Sequence, residues 1–403
     1  MNILVISGCC LYQNTSANLC HRAYIEGFVK LGHIVDLLTF SENNINIDES
    51  IVLPNIRNHF KYDGVSLYEK LAARQSNQSG SHPIENTEKA EAKISLKSRV
   101  IGKTKKFVRS LYGIYNPTIN WYHRAKKFRS DESYDLVISL SYPQVSHLLA
   151  EKLTEAKRVL AKKWIQVWED PWSIDLNNSD SYKKCLAAES KLLDSADEVV
   201  YVTPITLKRQ QELFPKNKNK MKWYPLPSYY TDIDSKRCNS KGNYYGYFGD
   251  YSPNIRNLEP FYNVAVKRNL NVDICGSPSD LFASKNNVRI YPRLPLGELK
   301  EHEDKANIVV CLFNLGGGQI PGKIYQLAAT NKTILAILDG PEDEQKIIRD
   351  YFEKYNRFVF CQNNEQSISK AIERIENNDL GGVLNEPIDD FSVEKVAKML
   401  LGD

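Results

Sequence analysis

The chain has 403 residues, of which 42% are hydrophobic and 25% charged, with a formal net charge of +4. That length exceeds the roughly 250–300 residues at which a single core stops growing, so two domains are expected, and the composition is that of a globular chain. No uncharged apolar run reaches the ~18 residues that a spanning helix needs, and the opening MNILVISG lacks the basic start of a secretory signal, so a cytoplasmic location is expected.

Strand-like runs alternate with helix-length periodic segments along the chain. In the first half, strands are predicted near Asn2–Ser7, Ile34–Phe40, Asp135–Ser141, Trp164–Trp168 and Glu198–Val202, and helices near Ser16–Leu31, Gln144–Leu153, Tyr182–Ser195 and Pro204–Phe214. In the second half, strands are predicted near Tyr244–Gly249, Val272–Cys275, Val288–Tyr291, Asn307–Phe313, Thr333–Leu338 and Arg357–Cys361, interleaved with helices in the same way. Short Val- and Ile-rich runs, each followed by a helix, signify parallel sheets with both faces covered. The expected fold class is therefore α/β, with two doubly wound domains: residues 1–215 and 243–385, joined by a Pro-, Lys- and Asn-rich linker at 216–242. Asp232 and Asp234 in that linker read as solvated rather than as metal ligands. The eight cysteines are scattered without a C-x-x-C pair, several inside apolar runs, and read as buried free thiols.

An insertion at about 74–129 interrupts the first half. Its opening, Arg74 to Lys93, is polar and reads as a loop. From Lys89 to Arg129 there are twelve Lys and Arg against one acidic residue, Glu91, with Phe107, Tyr112, Tyr115, Trp121, Tyr122 and Phe128 among them. Such a stretch suits a solvated helix face or docking on an anionic membrane surface, where each basic residue is worth about 1 kcal/mol and Trp and Tyr favour the headgroup layer. The docking reading is adopted here, with Lys103, Lys105, Lys106 and Arg109 at its centre, which places the protein peripherally on the inner face of the membrane. Without a recognisable binding module, nucleic acid is not expected as a partner.

The stretch GGGQIPGKIYQLAATNKTILAI, Gly316 to Ile337, follows a strand-like IVVCLFN. Ligands of doubly wound sheets bind beyond the carboxyl ends of strands. Lacking Cβ atoms, Gly316, Gly317 and Gly318 can bring backbone N–H groups against a phosphate, and Pro321 suits the first turn of a helix whose amides point the same way. Lys323 and Gln326, three apart, share a face of that helix. The competing reading is a glycine-rich turn beside a surface lysine, since neither the Walker spacing nor G-x-G-x-x-G is present.

The segment IPGKIYQLAATNKTILAI resembles the donor-site segment of GT-B glycosyltransferases, particularly the family 4 retaining type of bacterial polysaccharide assembly, in which P-x-K-x-x-E-y-x-A-x-G-K-P-I is usual. KWIQVWEDPWS resembles the W-I-x-D-x-R-D-P-W-S stretch of a bacterial subgroup, SADEVVYVTPITLKRQQELFP the strand and helix that follow it, and YGYFGDYSPNIRNLEPF the opening of the donor domain. The resemblance covers nearly the whole chain. It implies two Rossmann-like domains facing a cleft, with the acceptor on the first and the nucleotide-sugar on the second. It also implies that the last segment, 386–403, carries a helix from Ser392 to Leu401 that crosses back to the first domain.

Carried over residue by residue, the resemblance implies that Arg256 sets a cation on the donor diphosphate, which is why such enzymes generally need no metal or other cofactor. Gly276, Ser277, Arg293 and Leu294 stand where the family's loops meet phosphate and nucleobase. Gly8, after the first strand, would allow close approach of donor or acceptor. Asp170, in the turn after a strand, would orient an acceptor hydroxyl or act as a base, with a turn-capping role as its alternative. Three departures stand out: Gly318 and Gln326 replace the family's two glutamates, Glu169 replaces an arginine, and Asn331 to Thr333 replace G-K-P. The function implied is transfer of a sugar from a nucleotide-sugar donor to a lipid-linked or glycan acceptor, with retention, in surface polysaccharide biosynthesis. A catalytically weak nucleotide-sugar-binding partner of an assembly complex and a nucleotide-sugar epimerase are the other readings.

Overall fold

A computed structural model describes residues 1–43, 45–64, 112–175, 181–228, 242–316 and 318–402. Residues 65–111, which hold most of the insertion expected at about 74–129 and with it Lys103, Lys105, Lys106 and Arg109, lie outside the described residues, as do 229–241 of the expected linker and Gly317. The end of that insertion is described, and it corrects the docking reading there: Trp121 and Phe128 are buried in the first domain's core rather than offered to a surface.

The first sheet contains β1 (Asn2–Ser7), β2 (Ile34–Phe40), β3 (Asn58–Tyr62), β4 (Ser133–Ser141), β5 (Leu160–Trp168), β6 (Glu198–Tyr201) and β7 (Met221–Trp223). Its strands are all parallel, in the order β3-β2-β1-β4-β5-β6-β7. The second contains β8 (Tyr244–Phe248), β9 (Asn271–Cys275), β10 (Val288–Tyr291), β11 (Ile308–Leu312), β12 (Thr333–Leu338) and β13 (Phe358–Gln362), again all parallel, in the order β10-β9-β8-β11-β12-β13. Strands such as TILAIL of β12 are apolar apart from their first residue because helices cover both faces of each sheet, and every residue of β12 is buried. The chain thus forms two Rossmann-like, doubly wound domains.

Two strands lie beyond the sequence reading. The short edge strand β3, NHFKY, has half-exposed residues and no apolar run to announce it. The other, β7, lies in the stretch expected to be linker: Pro215–Lys220 forms a 3-10 turn, and Met221 then pairs with Val199. The first domain therefore extends past the expected boundary at 215. A Lys- and Asn-rich approach to an edge strand looks like a linker because the edge needs only one partner and little apolar surface.

The domains are packed together rather than merely tethered. One continuous apolar cluster includes Cys20, Tyr24 and Ile205 of the first and Ile320, Ile324 and Tyr325 of the second. Helix α1 (Ser16–Lys30) is capped by the Thr15 side chain, which accepts from the Asn18 N–H. The last helix, Val393–Leu401, lies against it, and a Cβ at Gly27 would sit 2.3 Å from the Val393 carbonyl oxygen. Val393, Val396, Ala397 and Leu400 are buried, at roughly 1.5–3 kcal/mol for each of the larger side chains. Gly27→Ala should therefore destabilise the protein, even though alanine favours an isolated helix by about 1 kcal/mol. Chemical denaturation would show a lowered midpoint, and an unchanged or raised one would mean that the last helix does not sit on α1.

The seven described cysteines are free, with Cys9 half-buried and Cys10, Cys20, Cys185, Cys275, Cys311 and Cys361 buried. Among the described residues no helix is long and apolar enough to cross a membrane.

Candidate functional site

Each sheet changes winding direction once, the first between β1 and β4 and the second between β8 and β11. Loops leaving neighbouring strands at such a point run to opposite faces and open a crevice at the carboxyl ends. In the second domain that crevice is built from polar residues directly after the strands. Arg256, in the loop after β8, donates from Nε to Asn314 Oδ1 at 2.7 Å, and Asn314 follows β11. The Leu315 N–H donates to the Ile255 carbonyl at 2.8 Å, fastening the two loops. Asp250 accepts from the Ser277 N–H at 3.1 Å and forms an ion pair with Arg293.

Only glycine fits at 276, where a Cβ would lie 2.0 Å from the Gly249 carbonyl oxygen. Its absence lets the loops after β8 and β9 close on each other. The Gly276 N–H itself donates to the Tyr291 carbonyl.

These residues wall a cavity of about 220 Å³ whose other side belongs to the first domain. Arg256, Gly276, Arg293, Leu294, Lys323 and Gln326 line it together, facing Asn14, Thr15, Ser16 and Leu19 at the start of α1. Six of the residues predicted from sequence therefore converge on one cleft, with Ser277 adjacent through Asp250. Lys323 has a counterion, Glu303, whose Oε1 lies 2.5 Å from Nζ.

The glycines require correction. Gly318 does have positive φ, +71°, but its N–H donates to Glu344 Oε2 at 3.2 Å, and its carbonyl accepts from Thr203 Oγ1 at 3.0 Å. A Cβ there would come 2.6 Å from Ile205 Cγ2. Gly318 is thus a contact between the domains, and its amide is spent before any phosphate arrives. Gly316 does not line the cleft and has room for a side chain, its nearest neighbour being Pro341 Cδ at 4.0 Å. The helix that follows, Lys323–Ala328, has six residues and begins beyond Pro321, too short for the expected anion-binding terminus. Gly8 likewise turns inward, donating to Ser146 Oγ at 2.9 Å, with Pro143 Cγ 2.8 Å from where a Cβ would stand. Gly318→Ala should cost about 1–3 kcal/mol through strained backbone and the Ile205 clash. A melting transition equal to wild type would refute this contact.

Asp170, in the turn after β5, does not line the cavity but lies within electrostatic reach of Arg256. Burial, with Asp175 and Glu169 nearby, pushes its carboxyl up to about 7, and Arg256 offsets part of the rise. Gln319 of the second domain donates from Nε2 to Asp170 Oδ1 at 2.7 Å and to Asp175 Oδ1 at 3.3 Å, so one amide bridges the domains. Glu169 is raised by burial, and its Oε1 lies 3.3 Å from His21 Nε2. His21 Nδ1 is 2.8 Å from Ser7 Oγ. Sequence reasoning missed His21, Gln319, Asn314, Asp250 and the Asn14–Ser16 turn. Polar residues immediately after strands, as in YGYFGD and IVVCLFN, signalled Asp250 and Asn314. A histidine inside a helix gave no signal.

Two Rossmann-like domains across a cleft, the last helix returning to the first domain, is the GT-B architecture. No family model and no curated protein matches the chain. Among solved structures, sucrose-phosphate synthase from Thermosynechococcus elongatus superposes with a TM-score of 0.59 at 11% identity, over 100% of this chain and 94% of that one. TarM superposes with a TM-score of 0.58 at 10% identity, over 100% and 98%. The UDP-GlcNAc 2-epimerase of Methanocaldococcus jannaschii gives 0.50 at 12% identity, over 100% and 99%. At these identities the likeness is one of fold.

Proposed function

We propose that the protein is a glycosyltransferase that moves a sugar from a nucleotide-sugar donor to a lipid-linked or glycan acceptor. The observation that carries this reading is the convergence of three basic side chains on one wall of the cleft. Arg256, Arg293 and Lys323 line it from the second domain, the last two paired with Asp250 and Glu303, and Asp170 of the first domain lies within electrostatic reach of Arg256. A departing nucleoside diphosphate gains negative charge as its bond to the sugar carbon breaks, and fixed cations aimed at it stabilise the transition state more than the ground state. Arg256 is held for that task by Asn314. Ionised Asp170 accepts a hydrogen bond from the acceptor hydroxyl and orients its oxygen toward the same carbon. The new carbon–oxygen bond forms as the bond to phosphate breaks, the diphosphate departs with the bonding electrons, and the hydroxyl proton passes to the Asp170 carboxylate or to a departing phosphate oxygen.

Gln326, buried on the cleft wall, would meet the ribose hydroxyls as a neutral amide. Restoring a carboxylate with Gln326→Glu should tighten nucleotide binding modestly, and Gln326→Leu should weaken it, because a charge-assisted hydrogen bond is roughly twice as strong as a neutral one. Calorimetric titration decides this, and three equal affinities would remove Gln326 from the nucleotide site.

Retention at the anomeric carbon, operation without a metal, a role in surface polysaccharide synthesis and a cytoplasmic position on the membrane's inner face belong to the same proposal. They rest on the resemblance and on the basic composition of the insertion. A panel of nucleotide-sugars assayed for transfer and for hydrolysis tests it. Tight donor binding with no turnover would support a binding partner of an assembly complex instead, and interconversion of free nucleotide-sugars would support an epimerase.

A further inference from the structure

A second cavity, of about 190 Å³, lies on the outer edge of the second sheet and shares no residue with the cleft. It is walled by β13 and the residues just before it, by helices Glu342–Glu353 and Glu365–Glu376, and by the loop around Gly381. Three guanidinium groups line it: Arg349, Arg357 and Arg374. Arg357 is 1% exposed. It donates to the Thr330 and Lys332 carbonyls and, at 3.4 Å, to Asn385 Oδ1, while its Nε has no hydrogen-bond partner. Among the described residues no carboxylate stands within 4.0 Å of any of the three. Glu353, the acidic residue of the wall, makes no ion pair with them.

A buried guanidinium without a counterion is costly, and carbonyl oxygens offset only part of the lost hydration. Burial pushes Arg357 down to about 10. The other two arginines are held in place. Arg349 stacks 5.1 Å above the Phe360 ring, and Arg374 donates from Nε to the Asp379 carbonyl at 3.3 Å. Gly381, with φ of +60°, lines the cavity beside Arg374, where a Cβ would lie 3.3 Å from the Arg374 Nη2. Guanidinium forks match phosphate oxygens in pairs, and a concave site of this volume fits one small phosphoryl group rather than a surface.

We propose that this cavity is a second anion site, which takes the phosphoryl group of a small soluble phosphate compound and is independent of the cleft. The test titrates inorganic phosphate at constant ionic strength into wild type, into Arg256→Ala and into the double variant Arg349→Gln/Arg374→Gln. Arg357 is left unchanged because its guanidinium also holds two main-chain carbonyls. Binding should be equal in wild type and Arg256→Ala and at least tenfold weaker in the double variant, whose melting transition without phosphate should match wild type. No binding to wild type, equal binding to the double variant, or loss of binding in Arg256→Ala would each overturn the proposal. So would cosedimentation with phosphatidic acid vesicles in the absence of any response to soluble phosphate.

Discussion

Replacing Arg256 with alanine should lower turnover by at least ~10²-fold, with a far smaller change in donor affinity, comparable to the loss of one oxyanion donor. The guanidinium is held by Asn314 across the switch point of the second sheet, so its position is set before substrate arrives. Groups fixed in that way act on charge as it develops in the transition state. Arg256→Lys keeps the charge but not the rigid fork, and it should recover only part of the rate. Lys323→Ala should follow the same direction with a smaller loss, because Glu303 already neutralises part of that charge. Steady-state kinetics on the three variants, each with an unchanged melting transition, checks the set. Wild-type turnover in Arg256→Ala would sink the diphosphate role.

The pH dependence should follow Asp170. Its carboxyl is held up to about 7 by burial and by the neighbouring Asp175 and Glu169. Only the ionised form accepts a hydrogen bond from the acceptor hydroxyl, so kcat/KM should rise through pH 7 and level above it. In Asp170→Asn that limb should vanish, and the rate should fall by roughly 10²–10⁴-fold if the carboxylate also takes the proton. Stability runs the opposite way. A carboxyl whose folded pKa is raised binds its proton more tightly in the native state, so its contribution is full below the unfolded value near 4 and is lost as pH rises toward 7. Asp170→Asn should therefore melt higher than wild type above pH 7, with the difference shrinking toward pH 4. A wild-type pH profile that persists in Asp170→Asn, or equal melting at pH 8, would remove Asp170 from this role.

Several features were set by the chain's local chemistry. Alternating Val- and Ile-rich runs and helical periods specify two parallel sheets because each segment must bury both faces of a strand or one face of a helix, a requirement written in spacing alone. Thr15 and Thr203 cap their helices through contacts three residues away, which any reading of the sequence can see. Lys323 is legible in the same way, as a cation on a helix just beyond a strand end, whereas Arg256 and Arg293 are implied by the family resemblance.

Long-range packing decided the rest. The sequence marks Gly8 as an opening for donor or acceptor and Gly318 as one for a phosphate, yet Pro143 fills the first space and Ile205 the second, across 135 and 113 positions of sequence. Free backbone conformation is a local property, whereas what occupies the space it opens depends on which distant segment packs there. The same holds for Asp170, whose raised pKa comes from burial and from carboxylates gathered by the turn after β5 and bridged by Gln319 from the other domain. Arg357 is the sharpest case: in sequence it is one more basic residue before a strand, and only the closing of two helices and a loop over the sheet edge leaves its charge buried without a counterion.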